Sequence, residues 1–319
     1  MEVIFVDMRI LAVVVRYKSP LEESQTIKGL AGMFVSDPNL LNAISVLVWD
    51  NSPAPVQNPQ LSFPFTYRHS AENVGVSGAY NRAMEIAETL GCKWLLLLDQ
   101  DTTLPENFLA RMLELSAQLQ DRTEIAAIAP FLVDGERTIS PGQLLFNRVK
   151  LLKPPFEGVH AGRMYAANSG TIMRVSALRQ IGGFDENFWL DLSDIVAFHR
   201  LHQQGKRLYI AGDLQLPHKV TLNDYDGSMS PQRYMNFVTA EGAYWDTYRN
   251  LPENLLQTMR LCARAVRQLM RYKNKAYSKI TFAYFLNRLF RSKANRLRGW
   301  MEQARRRDLP AISLGKVIG

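Results

Sequence analysis

The chain has 319 residues, 47% of them hydrophobic, which suits one large α/β domain or one domain with an appendage. Its two cysteines, Cys92 and Cys262, have neither zinc spacing nor the pattern of a disulfide framework, as expected for a reducing compartment. The net charge of +8 is unevenly spread: between Arg264 and Arg307 fourteen Lys/Arg face one acid, Glu302. That local balance of +13 leaves the rest of the chain at −5. The opening "MEVIFVDMRILAVVVRYKS" is no signal peptide, because acids sit near its start and a charge breaks its apolar stretch. No run reaches the roughly 18 to 20 apolar residues of a membrane-spanning helix. A soluble, cytoplasmic protein is expected.

In chain order, "ILAVVV" from Ile10 reads as a strand and "RYKSP" as its turn. "LEESQTIKGLAGMF" has helical periodicity, with acids in its first turn where the helix dipole favours them. "AISVLVWDNS" is a second buried strand and "FTYRHSAENVG" holds a third, shorter one. "SGAYNRAMEIAETLG" follows as a helix with Ser77 as N-cap and Gly91 as its stop. "KWLLLLDQD" is the next strand, and "PENFLARMLELSAQLQ" a helix with Pro105 near its first turn. "EIAAIAPFLV" is a further strand, residues 134–160 read as irregular, and "YAANSGTIMRV" returns to the sheet. "SDIVAFHRLHQQG" is a helix ending at Gly205, and "KRLYIAG" is the last strand. Beyond about residue 228 the pattern is wholly helical. Strands alternating with helices, with continuous rather than alternating apolar residues, predict a mostly parallel sheet covered on both faces. The expected division is a catalytic domain over 1–228 and a helical C-terminal region over 229–319, basic and amphipathic from about residue 264.

In such sheets ligands bind beyond the carboxyl ends of the strands, where "RYK", "DNS" and "DQD" should meet. An Asp-x-Asp pair just past a buried strand suits a hard divalent cation that keeps positions open for phosphate oxygens. Taken alone, "DQD" slightly favours an acidic loop that caps the next helix. Its context favours the metal.

The order of these pieces resembles family 2 glycosyltransferases of the GT-A fold, and within them bacterial rhamnosyltransferases, over about Ile10 to Asn250. "AVVVRYKSP" is similar to the family's opening strand and turn, and "LVWDNSP" to the strand ending in the base-reading aspartate. "ENVGVSGAYNRAM" looks like the Asn-x-Gly helix entry, and "WLLLLDQDT" like the DxD strand, with Gln between the acids as in the rhamnosyl subgroup. "NSGTIMRVSALRQIGGFDENFWLDLSDIVAFHRLHQQGKRLYI" resembles the acceptor-side block, and "LPHKV" a His-bearing loop.

The resemblance implies that Asp50 contacts the nucleotide base and that backbone around Arg16 and Tyr17 walls the base pocket. Asn73 belongs to the donor-binding helix entry. Asp99 would face the ribose or the metal shell, Asp101 would bind Mg²⁺ or Mn²⁺, and His218 would be a third metal contact. Asp194 falls on the catalytic base, and Asp191 on the subgroup's extra acid. Asp191 and Asp194 share a helical face only if the helix begins by Asp191, and Asp194 alternatively serves as the N-cap. Gly170 in "NSG" either lets backbone approach the sugar or is a plain turn glycine. His199 and His202, inside a helix, read as surface or packing residues.

Three departures stand out. The family's "TYN" turn is "RYK" here, so Arg16 and Lys18 either contact phosphate or face solvent. Ser193 replaces the usual Glu of the Glu-Asp pair, and Val196 stands where another acid is frequent.

The resemblance implies an inverting, metal-dependent enzyme that moves a sugar from a nucleotide-sugar donor, dTDP-β-L-rhamnose, to a saccharide acceptor in surface polysaccharide synthesis. Two rival readings are a nucleotidyltransferase acting on sugar phosphates and a non-catalytic membrane-surface scaffold. The first normally has a glycine-rich phosphate loop, and "RYKSPLEES" is poor in glycine; retention of both DxD acids, Asp194 and His218 argues against the second.

From Arg260 to Trp300, Arg and Lys mix with Leu, Phe and Tyr at helical spacing. An anionic membrane surface, on which a lipid-linked acceptor would be met, is the favoured partner for this segment. Packing on the catalytic domain or a homo-oligomer contact is the alternative, and no nucleic-acid partner is expected.

Overall fold

The structure, a computed structural model, describes residues 9–145, 148–218 and 229–306. By internal packing the chain divides into two units. The first holds residues 1–145, 149–185 and 193–219; the second holds 146–148, 186–192 and 220–319. Parts of three sequence-level readings, the N-terminal segment through Met8, the loop from Lys219 to Asp224 and the basic tail from Arg307, lie outside the described residues.

The strands of the first unit are β1 (Ile10–Arg16), β2 (Ile44–Asp50), β3 (Thr66–His69), β4 (Trp94–Asp99) and β5 (Ile125–Asp134). They continue with β6 (Arg137–Ser140), β7 (Gly142–Leu145), β8 (Arg148–Leu151), β9 (Gly158–Val159), β10 (Met164–Tyr165), β11 (Ile172–Arg174) and β12 (Arg207–Pro217). Nine of them form one sheet in the order β3-β2-β1-β4-β11-β5-β12-β9, with β6 on β5. Pairing is parallel along β3-β2-β1-β4 and between β5 and β12. The exception at the centre is β11, antiparallel to both β4 and β5. A smaller sheet runs β10-β7-β8.

The helices are α1 (Gln25–Ser36), α2 (Leu40–Ala43), α3 (Gly75–Thr89), α4 (Phe108–Gln118), α5 (Val175–Gln180) and α6 (Ser193–Gln203). Alternate residues of the central strands feed two cores, which is why their sequences are continuously apolar. Ile10, Ala12 and Val14 of β1 join Leu96 and Leu98 of β4 under α1 and α4. Leu11, Val13 and Val15 join Leu95 and Leu97 under α3, α5 and α6. This is the helix-flanked, mostly parallel sheet that the GT-A resemblance implies.

Several local readings need correction. Residues 134–160 carry β6 to β9 rather than irregular chain. Glu22 and Glu23 lie in a separate 3-10 turn, Leu21–Glu23, and α1 starts after it on Ser24, whose hydroxyl accepts from Ile27 N at 3.2 Å. Ser77 is no N-cap: α3 begins at Gly75, and Ser77 is buried inside it. Helix α6 begins at Ser193, so Asp191 lies outside it and Asp194 sits in its first turn rather than at the cap. Leu192, at φ 62°, turns the chain just before α6, so the two acids do not share a helical face.

The second unit contains α7 (Pro231–Tyr248), α8 (Leu251–Arg271), α9 (Ala276–Phe290) and α10 (Lys293–Arg306). The predicted single amphipathic stretch is therefore broken twice, at Tyr272–Lys275 and at Arg291–Ser292. Met229, Tyr234, Leu261, Tyr277 and Ile280 form its apolar core. Beside it Asp246 is buried, bonded to both Arg288 and Arg296 at 2.8–3.2 Å. No helix among the described residues is long and apolar enough to cross a membrane.

Arg174, at the end of β11, fastens the first unit. It lies over the Trp94 ring and donates to the carbonyls of Leu119, Gln120, Arg122 and Ile125 at 2.9–3.3 Å, closing the chain that leaves α4. Arg174→Met keeps the aliphatic stem and strands those carbonyls. It should lower unfolding stability by about 3 kcal/mol, measured by urea titration; a loss under about 0.5 kcal/mol would show that the carbonyls find water instead.

Candidate functional site

Strand register lines up the carboxyl edge. Arg16 stands beside Asp50, Asp50 beside His69, and Val15 beside Asp99. The strand order reverses at β1, between β2 and β4, which is where open α/β sheets leave a crevice.

Asp50 is fully buried. Its Oδ1 accepts from Ser52 N at 2.9 Å, and its Oδ2 accepts from Arg16 Nη1 and from the Tyr67 hydroxyl. Burial alone would raise its pKa. Hydrogen bonds from Ser52 and Tyr67, with the charge of Arg16, outweigh that and hold the carboxyl below its ordinary value. Arg16 is engaged by Asp50 and the Ser52 hydroxyl through Nη1 and by Ser19 O through Nε. A nucleobase reaching Asp50 has to share an oxygen with one of these donors. Tyr17 is exposed, with Lys18 Nζ 4.9 Å over its ring.

The residue between the two acids ties this side to the next. Gln100 Oε1 accepts from Tyr17 N at 3.0 Å, fixing the "DQD" turn to the "RYK" turn. Ser24 Oγ donates to Gln100 O at 2.6 Å, and Thr26 Oγ1 bonds Thr102 N at 3.0 Å, so the start of α1 braces the same turn. Asn73 acts locally: its Oδ1 accepts from Gly75 N at 2.9 Å and opens α3. Asn51 completes that entry, accepting from Val74 N and donating to Gly75 O.

Asp99 is half-buried and Asp101 exposed. Burial raises the pKa of Asp99, the Ser169 hydroxyl on its Oδ2 lowers it, Asp101 raises it and His218 lowers it. Asp101 and His218 therefore lie within electrostatic reach of Asp99. His218 is placed by its own N, which donates to Val133 O at 2.9 Å and extends the β12–β5 pairing. Among the described residues no three acidic, His or Cys side chains converge at metal-ligand spacing. Two neighbouring carboxylates with an imidazole nearby still fit a Mg²⁺-like ion, which takes one or two carboxylates and completes its shell with phosphate and water.

The loop Asn168–Gly170 joins this acid pair to α6. Ser169 holds Asp99, while Asn168 Nδ2 donates to Ser193 Oγ at 2.9 Å, one residue before Asp194. Gly170 has φ 75°, and a Cβ there would lie 2.5 Å from Leu216 Cδ2, so the position requires glycine. Asp194 Oδ1 accepts from its neighbour Ile195 N at 2.7 Å. Asp191 is placed otherwise. It is buried in the second unit, bonded to Arg233 and Asn236.

Tyr80 of α3 is a buried phenol in the electrostatic surroundings of these acids that the sequence reading passed over. Its hydroxyl is buried and has no hydrogen-bond partner among the described residues. Burial raises its pKa well above the phenolic value, and the charges of Asp99 and Asp194 add to the rise, so one phenol senses both acids. The available signal was a single large polar-tipped ring among Ala79, Ala83 and Ala87 on the buried face of α3. His202, by contrast, packs: its ring nitrogens face Met164 O and Lys206 O, and burial lowers its pKa.

Because the pKa of Asp50 is depressed by folding, the stability it contributes is present above the unfolded value of 3.8 and is lost as pH falls through the folded value. Asp50→Asn should flatten the acid limb of the stability–pH curve below that point, read by thermal unfolding from pH 6 to about pH 2. An unchanged acid limb would mean that the cluster does not couple to folding.

The model of glycosyl transferase family 2 matches residues 45–182, which contain Asp50, Asn73, Asp99, Asp101 and Gly170. Among solved structures the chain resembles the crystal structure of S. aureus TarS at 15% identity and a TM-score of 0.50, covering 95% of this chain and 53% of that one. It thus spans about half the length of that protein, and at this identity the likeness concerns the fold alone. A structure of S. aureus TarS residues 1–349 matches at 15% identity and a TM-score of 0.46, over 93% of this chain and 81% of that chain. No curated protein matches the sequence.

Proposed function

We propose that the chain, matched over residues 45–182 by the family 2 glycosyltransferase model, is an inverting, metal-dependent transferase that moves L-rhamnose from dTDP-β-L-rhamnose to a saccharide acceptor in surface polysaccharide synthesis. The observation that carries this reading is the Asn168–Gly170 loop, which bonds Asp99 on one side and the start of α6, beside Asp194, on the other. One short segment thereby holds the donor-side carboxylate of Asp99 and the residue just before the acceptor-side Asp194.

In this reading Asp194 accepts the proton of the acceptor hydroxyl. The acceptor oxygen forms its bond to the anomeric carbon as the bond to the diphosphate breaks, so a β-linked donor yields an α-linked product. Asp101, with Asp99 and His218, would hold Mg²⁺ or Mn²⁺, whose charge offsets that of the leaving diphosphate. Arg16, Tyr17 and Asp50 form the base-side wall, stiffened by Gln100. Gly170 lets backbone come close to the sugar, and Asn73 shapes the donor-side entry of α3. Rhamnose rests on the resemblance around "DQD" and "FWLDLSD". The acceptor is proposed to be lipid-linked, which would bring the enzyme to an anionic membrane surface.

A donor-hydrolysis screen over nucleotide sugars, with and without divalent cation, tests the reading directly. Asp101→Ala should cut divalent-dependent donor turnover at least about 100-fold. Full turnover of the unmodified enzyme in excess chelator would remove the metal from the scheme. Asp194→Asn should keep donor affinity, by calorimetry, within a few-fold while transfer to acceptor falls about 10²- to 10⁴-fold. Undiminished transfer would move the base to another residue.

A further inference from the structure

Helix α8 buries three polar side chains and exposes most of its large apolar ones. Gln257, Thr258 and Gln268 point inward beside Leu261 and Ala265. Gln268 donates to the Tyr234 hydroxyl at 2.7 Å and accepts from Thr281 at 2.7 Å, and Thr258 accepts from Arg288 at 3.1 Å. These bonds anchor α8 to α7 and α9 through its hydrophilic side. Most of its other large apolar residues are left outward. Leu251, Leu255, Met259, Val266, Leu269 and Met270 fall on one arc at helical spacing and are exposed, Leu251 at 81% and Met270 at 75%. Over 21 residues the stripe is about 30 Å long. On α9, which packs beside α8, Phe282, Leu289 and Phe290 are exposed as well.

We propose that this α8–α9 face lies on the surface of an anionic lipid bilayer, with the leucine, methionine and phenylalanine side chains in the interface and the bordering cations on the headgroups. It deepens, and rests on, the membrane placement within the proposed function. Charge selects the occupant. Residues 229–306 hold sixteen Lys/Arg against four acids. Three of those acids are already in ion pairs: Glu241 with Arg264, Asp246 with Arg288 and Arg296, and Glu253 with Arg249. Arg267 and Arg271 on α8, then Lys273, Lys275 and Lys279, are exposed. A second copy docking by the same face would set these cations against themselves, because a twofold contact is self-complementary. An anionic membrane matches both the apolar stripe and its basic border.

The experiment is co-sedimentation of the full chain with vesicles of phosphatidylcholine alone or with 30% phosphatidylglycerol. Binding is expected on the anionic vesicles only, and 0.5 M NaCl should weaken it. Leu255→Ser/Leu269→Ser/Met270→Ser should lower partitioning at least about tenfold. Arg267→Gln/Arg271→Gln/Lys275→Gln should lower it about 100-fold on anionic vesicles. Circular dichroism checks that each variant folds, and the Gln set decides if the Ser set does not. No vesicle binding, or binding that neither set reduces, overturns the proposal. So does a concentration-dependent dimer, seen by light scattering, that the Ser set abolishes in a protein that ignores vesicles. Donor hydrolysis by the same samples separates the two readings. A protein that hydrolyses donor but ignores vesicles loses only the docking face, whereas one that binds vesicles but turns over no donor keeps the face and loses the proposed chemistry.

Discussion

The site depends on β11 running backwards between β4 and β5. In a purely parallel sheet β4 and β5 would be neighbours, and the edge beyond β4 would hold only the "DQD" turn. Inserting β11 antiparallel brings a loop up to that edge from the other direction, and backbone bonds fix its height: Gly170 N donates to Leu97 O at 2.8 Å, and Leu97 N donates to Thr171 O at 2.9 Å. Those bonds set Ser169 on Asp99 and Asn168 on Ser193. The demand on position 170 follows, since backbone at φ 75° packed against Leu216 and Pro130 leaves no room for a side chain. Arg174, four residues later, locks the opposite end of β11 to the chain leaving α4. One three-residue strand is thus held at both ends by polar groups, and its precision is transmitted to the acids.

Much of this was legible in the sequence, for a specific reason. Continuous apolar runs such as "ILAVVV" and "WLLLLD" leave little choice but a strand covered on both faces, and the polar residues that end them must then collect at one edge. What stayed hidden depends on pairing across long separations. Asp50 reads as an available acid until Arg16 and Tyr67 are seen to occupy it, from 34 and 17 residues away. Gln100 reads as a spacer, yet its side chain fixes Tyr17 at a separation of 83 residues. Asp191 and Asp194, three apart, would share a helical face only if the helix began by Asp191, whereas Leu192 in the left-handed region precedes the helix and Asp191 bonds Arg233 and Asn236. The short strands from β6 to β9 escaped because chains of two to four residues carry too little periodicity to separate from loop.

The second unit inverts the usual assumption that an amphipathic helix turns its apolar face inward. A sequence reading of α8 finds the stripe but not which residues of the helix are buried. The polar interior explains the inversion. Asp246, Arg288 and Arg296 form a buried ion triad, and Tyr234, Thr281 and Gln268 form a hydrogen-bonded chain beside it. Groups of this kind add little net stability over well-packed apolar residues, yet each must be matched, so they specify how neighbouring helices seat. With α8 seated by Gln257, Thr258 and Gln268 together with Leu261 and Ala265, the neighbouring arc from Leu251 to Met270 faces outward.

That arrangement leaves burial free energy unrealised. A leucine- or methionine-sized side chain gains about 1.5–3 kcal/mol when fully removed from water, and the outward arc of α8 carries six such residues. A chain optimised only for its own stability would turn that arc toward the Tyr234–Tyr277 core and leave Gln257 and Gln268 in solvent. The observed arrangement does the reverse and surrounds the arc with cations whose nearby acids are mostly paired within the unit. The apolar stripe disfavours water and the clustered like charges repel one another, so each raises the free energy of the exposed surface. A single environment that is apolar at depth and anionic at its surface relieves both at once, which ties the polar interior of this unit to what it meets outside.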